Sequence, residues 1–275
     1  MRTIRNVPLF KLVSSVPWLT GYELEARVTQ RMIVTGGGSG LGRAICQELA
    51  RRGVEVIAVG RRREALDRTC ALDPKKISRV SADLATPEGR DEVVKAVGDE
   101  PLAGIVHNAG VLEPIGPLAG VRLEDWRHAQ AVNVEAPLFL TQALLPNLQG
   151  GRVLHMSSGA AHQGYPGWGS YCTSKAALFM IYRILSQELA DRDIAVGSVR
   201  PGVVDTDMQA LIREQPPERF PMVQRFMDLH ATGQLESPAE VAGFTAWLLL
   251  DVEPEQFSAE EWSFTEPAHR EQWGG

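Results

Sequence analysis

The chain has 275 residues, a mass of 30.1 kDa and a formal net charge of −6, with 44% hydrophobic and 23% charged residues. That balance suits a globular protein, and without a lysine-rich tract it argues against nucleic acid as a partner. Cys46, Cys70 and Cys172 are scattered, with no CxxC pair and no metal-ligand spacing, so no metal is expected and a reduced, cytoplasmic setting is. No apolar run approaches the roughly 18 residues of a membrane span.

Residues 1–30 differ from the rest, with three basic residues and no acid before Glu23. An organelle-targeting segment would share that bias. Pro8 and Pro17 weaken an amphipathic helix, so an N-terminal extension is the reading taken. From residue 31 the pattern becomes regular. "RMIVTGG" is a short apolar run ending in glycine and predicts a buried strand. "LGRAICQELARRG" follows, with apolar positions 41, 45 and 49 and a closing Gly53, which predicts an amphipathic helix. "VEVIAVG" predicts a second strand, "RREALDRTCAL" a helix and "ISRVSADL" a third strand. "TPEGRDEVVKAV" opens with Thr86 as N-cap, Pro87 at the first helical position and acids in the first turn.

"LAGIVHNAG" predicts a strand, and "LEDWRHAQAVNVEAPLFLTQALLPNL" one long helical stretch with a proline inside. "GRVLHMSS" predicts a strand, "YCTSKAALFMIYRILSQELADR" a helix and "IAVGSVRPG" a strand. Residues 207–235 are the least regular part and suit a lid or binding loop, although "MVQRFMDLH" has helical character. "SPAEVAGFTAWLLL" carries a second N-cap-plus-proline signature, and "EEWSFTE" suits a last strand. Such alternation predicts an α/β fold: one Rossmann-type domain over residues 31–266, a doubly wound parallel sheet with helices on both faces, followed by a tail at 267–275.

Three features carry chemistry. "TGGGSGLG", residues 35–42, lies between the first strand and its helix, where free backbone N–H groups can bind a pyrophosphate. The end of the second strand reads "GRRRE" rather than offering an acid for a ribose hydroxyl, so Arg61 or Arg62 can pair with a 2′-phosphate and the expected cofactor is NADP(H). Tyr171 and Lys175 are four residues apart and share a helix face, a spacing that fits either a surface hydrogen bond or an acid beside the cation that tunes it.

With these motifs in order, the chain resembles the short-chain dehydrogenase/reductase family over about residues 30–265. "TGGGSGLG" is similar to the family's TGxxxGxG turn, "ADL" to its adenine-side motif, and "NAG" at 108–110 to its strand-stabilising motif. "AVNVEAP", "MSSGA", "YCTSK", "RPGVVDTDM" and "SPAEVA" follow in the family's order. A narrower likeness, in "NAGVLEPI", "GWGSYCTSKAAL" and "PGVVDTDMQALIRE", points toward the sepiapterin reductase and benzil reductase branch, whose members reduce carbonyls in diketones and pteridine side chains. The tail "FSAEEWSFTEPAHREQWGG" departs from the family by lacking TG before the last strand.

The resemblance implies a catalytic set of Asn133, Ser158, Tyr171 and Lys175, with Ser158 preferred to Ser157 because it lies thirteen residues before the tyrosine. Ser157 is then expected on the opposite face of the strand end. The implied cofactor contacts are Thr35, Gly36, Gly38, Ser39, Gly40, Leu41, Gly42, Arg61, Arg62, Asp83, Leu84, Asn108, Ala109, Gly110, Tyr171, Lys175, Pro201, Gly202, Val204 and Thr206. Lys175 is expected to lower the Tyr171 pKa and hold the nicotinamide ribose. Asn133 is expected to organise a water chain to Lys175, and Thr206 to bind the carboxamide. Ser158, His162, Tyr165, Trp168 and Met208 are candidates for contact with a bulky or aromatic carbonyl. His155 is expected in the core and Cys172 to be inert.

The expected activity is NADP(H)-dependent interconversion of a ketone and a secondary alcohol by a homodimer or homotetramer. A nucleotide-binding sensor, or epimerase or dehydratase chemistry, is the alternative on the same fold. The intact Ser, Tyr and Lys favour the reductase.

Overall fold

The computed structural model describes residues 30–274, so the N-terminal extension apart from Gln30 lies outside the described residues. Seven strands form one parallel sheet: β1 (Arg31–Thr35), β2 (Glu55–Gly60), β3 (Ile77–Ser81), β4 (Gly104–His107), β5 (Arg152–Met156), β6 (Ala195–Arg200) and β7 (Glu261–Ser263). Their spatial order is β3-β2-β1-β4-β5-β6-β7. The helices are α1 (Gly40–Arg51), α2 (Arg63–Cys70), α3 (Pro87–Val97), α4 (Leu123–Gln130), α5 (Ala136–Leu144), α6 (Gly169–Glu188), α7 (Asp207–Arg213), α8 (Val223–Ala231), α9 (Pro238–Leu250), α10 (Pro254–Ala259) and α11 (Pro267–Trp273).

Central strands buried on both sides need apolar residues at nearly every position, which is why "MIVT" and "VIAV" do not alternate. One face of the sheet packs against α1, α2 and α9 through Ile45, Leu49, Leu66, Val241, Phe244 and Leu248. The other packs against α3, α5 and α6 through Val93, Leu140, Leu144, Tyr182 and Leu185. A third apolar cluster joins Leu112, Trp168, Tyr171, Ile212, Phe220 and Phe226 above the sheet.

Local sequence explains most boundaries. Thr86 caps α3, its hydroxyl accepting from the Gly89 N–H at 3.1 Å. Ser237 precedes α9 but makes no side-chain cap, so Pro238 alone marks that start. The long helical stretch is divided: α4 and α5 are separated by a π-helical turn over Ala131–Glu135, in which the Ala136 N–H bonds to the Ala131 carbonyl. Pro137, at the start of α5, has no N–H for the carbonyl four residues back, so the α-helical ladder cannot run straight through.

Segment 207–235 contains helices α7 and α8. Within the expected tail at 267–275, Pro267–Trp273 form α11. Trp273 packs against the α1–α9 core, and His269 Nδ1 accepts from the Ser263 N–H at 2.9 Å.

The chain leaves β3 at one edge and returns to place β4 on the other side of β1. Connections from β1 and β4 therefore diverge at their carboxyl ends. A sheet of this kind opens its ligand crevice at that switch point.

Candidate active site

A cleft of ≈ 690 Å³ opens at the carboxyl ends of the strands. Its floor is the turn between β1 and α1. Gly36 has φ +69°, a conformation an L side chain rarely adopts, and a Cβ on Gly42 would strike the Gly36 carbonyl. Glycine at these two positions lets the turn fold tightly and presents the start of α1 to the cleft, where its N–H groups and dipole favour an anion. Ser39, Gly40 and Leu41 also line it. Thr35 does not. It is 1% exposed behind the turn, where its hydroxyl donates to the Val106 carbonyl and accepts from the Asn108 and Ala109 N–H groups. Thr35 thus joins β1 to β4, and the Asn108 amide reinforces the joint by donating to the Thr35 carbonyl at 2.9 Å.

At the end of β2, Arg61 and Arg62 line the cleft, and Arg62 Nη2 donates to Ser39 Oγ at 3.1 Å. Neither has a carboxylate partner among the described residues. The Arg62 guanidinium is therefore held beside the glycine turn with its charge uncompensated. Asp83 and Leu84 from the end of β3, and Asn108, Ala109 and Gly110 from the end of β4, continue the wall. Pro201, Gly202, Val204 and Thr206 close it after β6. The turn and the walls fit a dinucleotide, with the two arginines at the end of β2.

Asn133 sits in the π-helical turn, 1% exposed. Its Oδ1 accepts from the Val111 N–H at 2.8 Å, and its Nδ2 donates to the Val111 carbonyl at 2.8 Å and to Ser174 Oγ at 3.0 Å. These bonds brace the β4 loop against α6. The side chain is thus occupied by protein and does not line the cleft. Gly110 lies against both side chains: a Cβ there would meet Asn133 Oδ1 at 3.5 Å and Lys175 Nζ at 3.9 Å, ordinary contact distances.

Ser158, Tyr171 and Lys175 all line the cleft. Ser158 follows β5, with Oγ accepting from the Ala160 N–H at 3.2 Å, while Tyr171 and Lys175 are one turn apart in α6. Lys175 is 5% exposed, and Nζ donates to the Met156 carbonyl at 2.7 Å. Burial pulls its pKa down to about 8. Burial pushes the Tyr171 phenol up to about 12, while a hydrogen bond with Ser158 acts in the opposite sense.

The expectation that Lys175 lowers the tyrosine is therefore corrected for the protein alone. Its ammonium is 5.6 Å from the Tyr171 ring centroid and is directed at a backbone carbonyl, so desolvation dominates. Ser157 borders the cleft, but it is 3% exposed and its Oγ is buried, without a partner among the described residues.

Tyr165, Trp168 and Met208 line the apolar half of the cleft. Trp168 stacks on Phe220 at 4.5 Å and meets the Tyr171 ring edge-on at 5.9 Å. His162 is elsewhere: Nε2 is 2.6 Å from Glu261 Oε2, and its ring packs on Phe179. That placement corrects its candidacy as a substrate contact. His155 is fully buried beside His107, and burial keeps its imidazole neutral with a pKa of about 3. Burial also raises the Cys172 thiol, which keeps it protonated.

Sequence reasoning missed Leu112, Gln209, Ile212, Phe226 and Leu229, all of which line the cleft. The spacing of Val223, Phe226 and Leu229 in "VQRFMDL" held a signal, since residues three apart share a helix face.

Sheet order, glycine turn and cleft position together define a dinucleotide-binding α/β protein. The short chain dehydrogenase family model matches residues 30–217. Over 229 residues the chain is 33% identical to a benzil reductase ((S)-benzoin forming) of Bacillus subtilis, covering 79% of this chain and 92% of that one. Among solved structures it is similar to the KRED1-Pglu enzyme, with 34% identity, TM-score 0.78 and coverage of 83% and 98%. A short chain dehydrogenase of Escherichia coli CFT073 complexed with NADPH has 27% identity, TM-score 0.73 and coverage of 86% and 97%. The chain belongs to the short-chain dehydrogenase/reductase family of oxidoreductases, with benzil reductases among its relatives.

Proposed function

We propose that this protein is an NADP(H)-dependent carbonyl reductase acting on a bulky or aromatic ketone, such as a diketone, with Tyr171 as the proton donor. The observation that carries this reading is the joint placement of Ser158, Tyr171 and Lys175 in one cleft with the glycine turn. Bound NADPH supplies the hydride for the carbonyl carbon. Ser158 Oγ donates to the carbonyl oxygen and orients it. As the oxygen gains charge, Tyr171 delivers its phenolic proton and the product leaves as a secondary alcohol. A buried phenol with a pKa of about 12 is fully protonated near neutrality, which suits reduction. The reverse direction needs a phenolate and depends on a positive charge close to the oxygen.

Lys175, charged below about pH 8, would bind the ribose hydroxyls. Asn133 acts through the β4 loop and Ser174, as a brace. Arg61 and Arg62 would hold the 2′-phosphate. Support for NADP(H) comes from those two guanidinium groups, which have no carboxylate partner among the described residues, and from the NADPH complex of the E. coli relative.

The test is NADPH oxidation with benzil, 1-phenyl-1,2-propanedione and sepiapterin, with NADH in parallel. Turnover with NADPH that falls about 10²- to 10⁴-fold in Tyr171→Phe, with NADPH binding retained, is the expected result. NADPH binding without turnover of any carbonyl would favour the sensor reading.

A further inference from the structure

We propose that Gln209 is a specificity-determining donor that binds a second carbonyl oxygen of the substrate, away from the one held by Ser158 and Tyr171. The inference rests on the reductase reading and narrows it to dicarbonyl compounds with an apolar flank.

Gln209 is on α7 and lines the cleft, yet is only 2% exposed. Its amide orientation follows from its neighbour. Arg213 Nη1, which can only donate, is 3.1 Å from Oε1, so the oxygen faces Arg213 and the NH₂ group is the other end. That Nε2 is buried and has no hydrogen-bond partner among the described residues. Buried amide donors are nearly always satisfied, so one left unpaired in a ligand cleft calls for an acceptor from the ligand.

The surroundings narrow the acceptor's chemistry. Around Gln209 the cleft is lined by Leu112, Trp168, Met208, Ile212, Phe226 and Leu229. Trp168 Nε1 is also buried without a partner, so this apolar half holds two donors that the described residues leave unsatisfied. The matching ligand places apolar groups, such as aryl rings, against Trp168 and Phe226 and turns a neutral oxygen toward Gln209. The cations nearby are engaged elsewhere: Arg213 donates to Gln209 Oε1, and the Arg225 guanidinium lies 5.9 Å from the Phe226 ring centroid. Gln209 Nε2 is itself a neutral donor, which matches a carbonyl oxygen. A monoketone has one oxygen, which Ser158 and Tyr171 take. A dicarbonyl has the second.

The test compares 1-phenyl-1,2-propanedione with two monoketones of the same skeleton, 1-phenyl-1-propanone and phenylacetone. In Gln209→Met, which keeps side-chain volume but removes the donor, kcat/KM for the dione is expected to fall about tenfold. The monoketones should change less than twofold, and the KM for NADPH should not move. Gln209→Glu keeps the contact with Arg213 and replaces the donor with acceptors, so its loss on the dione should be at least as large. An equal loss on all three ketones, an unchanged dione or a raised KM for NADPH overturns the assignment while leaving the reductase reading intact. A wild-type enzyme that reduces none of the three with either nicotinamide cofactor overturns both.

Discussion

Tyr171 and Lys175 stand one turn apart in α6, yet burial moves their pKa values in opposite directions, the phenol up to about 12 and the amine down to about 8. Both shifts favour the neutral form, as desolvation must. The lysine shift has a consequence for stability. The unfolded chain holds the Lys175 proton to about pH 10.5, whereas the folded protein loses it from about 8. Between these values the unfolded state binds more protons, so this group's contribution to stability rises with pH. Cys46, Cys172 and Tyr182, whose pKa values are raised by burial, contribute with the opposite sign above pH 9. Comparison with Lys175→Met cancels them. Denaturant midpoints should show the variant gaining stability at pH 7, with the gap narrowing between pH 8 and 10.5 by up to roughly 3 kcal/mol, the equivalent of that shift. A gap independent of pH would show that Lys175 is better solvated than its burial implies.

Arg61 and Arg62 belong to the same scale. Replacing both with Ser should raise the KM for NADPH by roughly 10- to 100-fold, the worth of one charged hydrogen bond, and leave that for NADH within a few-fold. Steady-state kinetics with both cofactors would decide it. The chemistry of Tyr171, Lys175 and the arginines was legible because it depends on residue type and local spacing. The placement of His162 was not, because Glu261, its partner, comes from a strand 99 residues away.

At the scale of elements, the turn between β1 and α1 depends on contacts within the turn itself. A methyl group at Gly42 would meet the Gly36 carbonyl and come within 2.5 Å of Asn108 Nδ2. Gly42→Ala should therefore displace both the turn and the bond joining β1 to β4. The expected result is loss of NADPH binding by at least tenfold, with destabilisation of about 1–3 kcal/mol typical of overpacking. Titration calorimetry and thermal unfolding would measure the two effects, and tight binding by this variant would count against the turn as the pyrophosphate site. The same motif was readable from sequence because strand, glycine turn and helix are contiguous. The π-helical turn at Ala131–Glu135 was not, since Pro137 marks a break in the ladder without saying whether a kink, a bulge or a helix end results. Helix α11 was obscured for another reason: "PAHREQW" is polar, and its place comes from one tryptophan and one histidine meeting the core.

Taken whole, the molecule buries its apolar residues on both faces of the sheet but leaves some exposed on one side. Phe139 of α5 is 45% exposed, and Met180 and Ile184 of α6 are 50% and 46% exposed. The two α6 residues are four apart and point the same way. These helices cover the same face of the sheet. Leu123 of α4, which packs beside α6, is 56% exposed. Scattered exposed leucines need no explanation, but large apolar groups gathered on neighbouring helices suit an interface. A two-fold contact would set this surface against itself, each α5 and α6 meeting the same helices of a second copy. Sedimentation at micromolar concentration is expected to give a dimer or a larger even assembly. Met180→Glu with Ile184→Glu should shift it to monomer, because two carboxylates facing their symmetry mates would lose hydration without gaining partners. The active-site cleft opens at the strand ends rather than on this helical face, so the monomeric variant should still bind NADPH. A wild-type monomer at those concentrations would leave the exposed α5–α6 surface without this role.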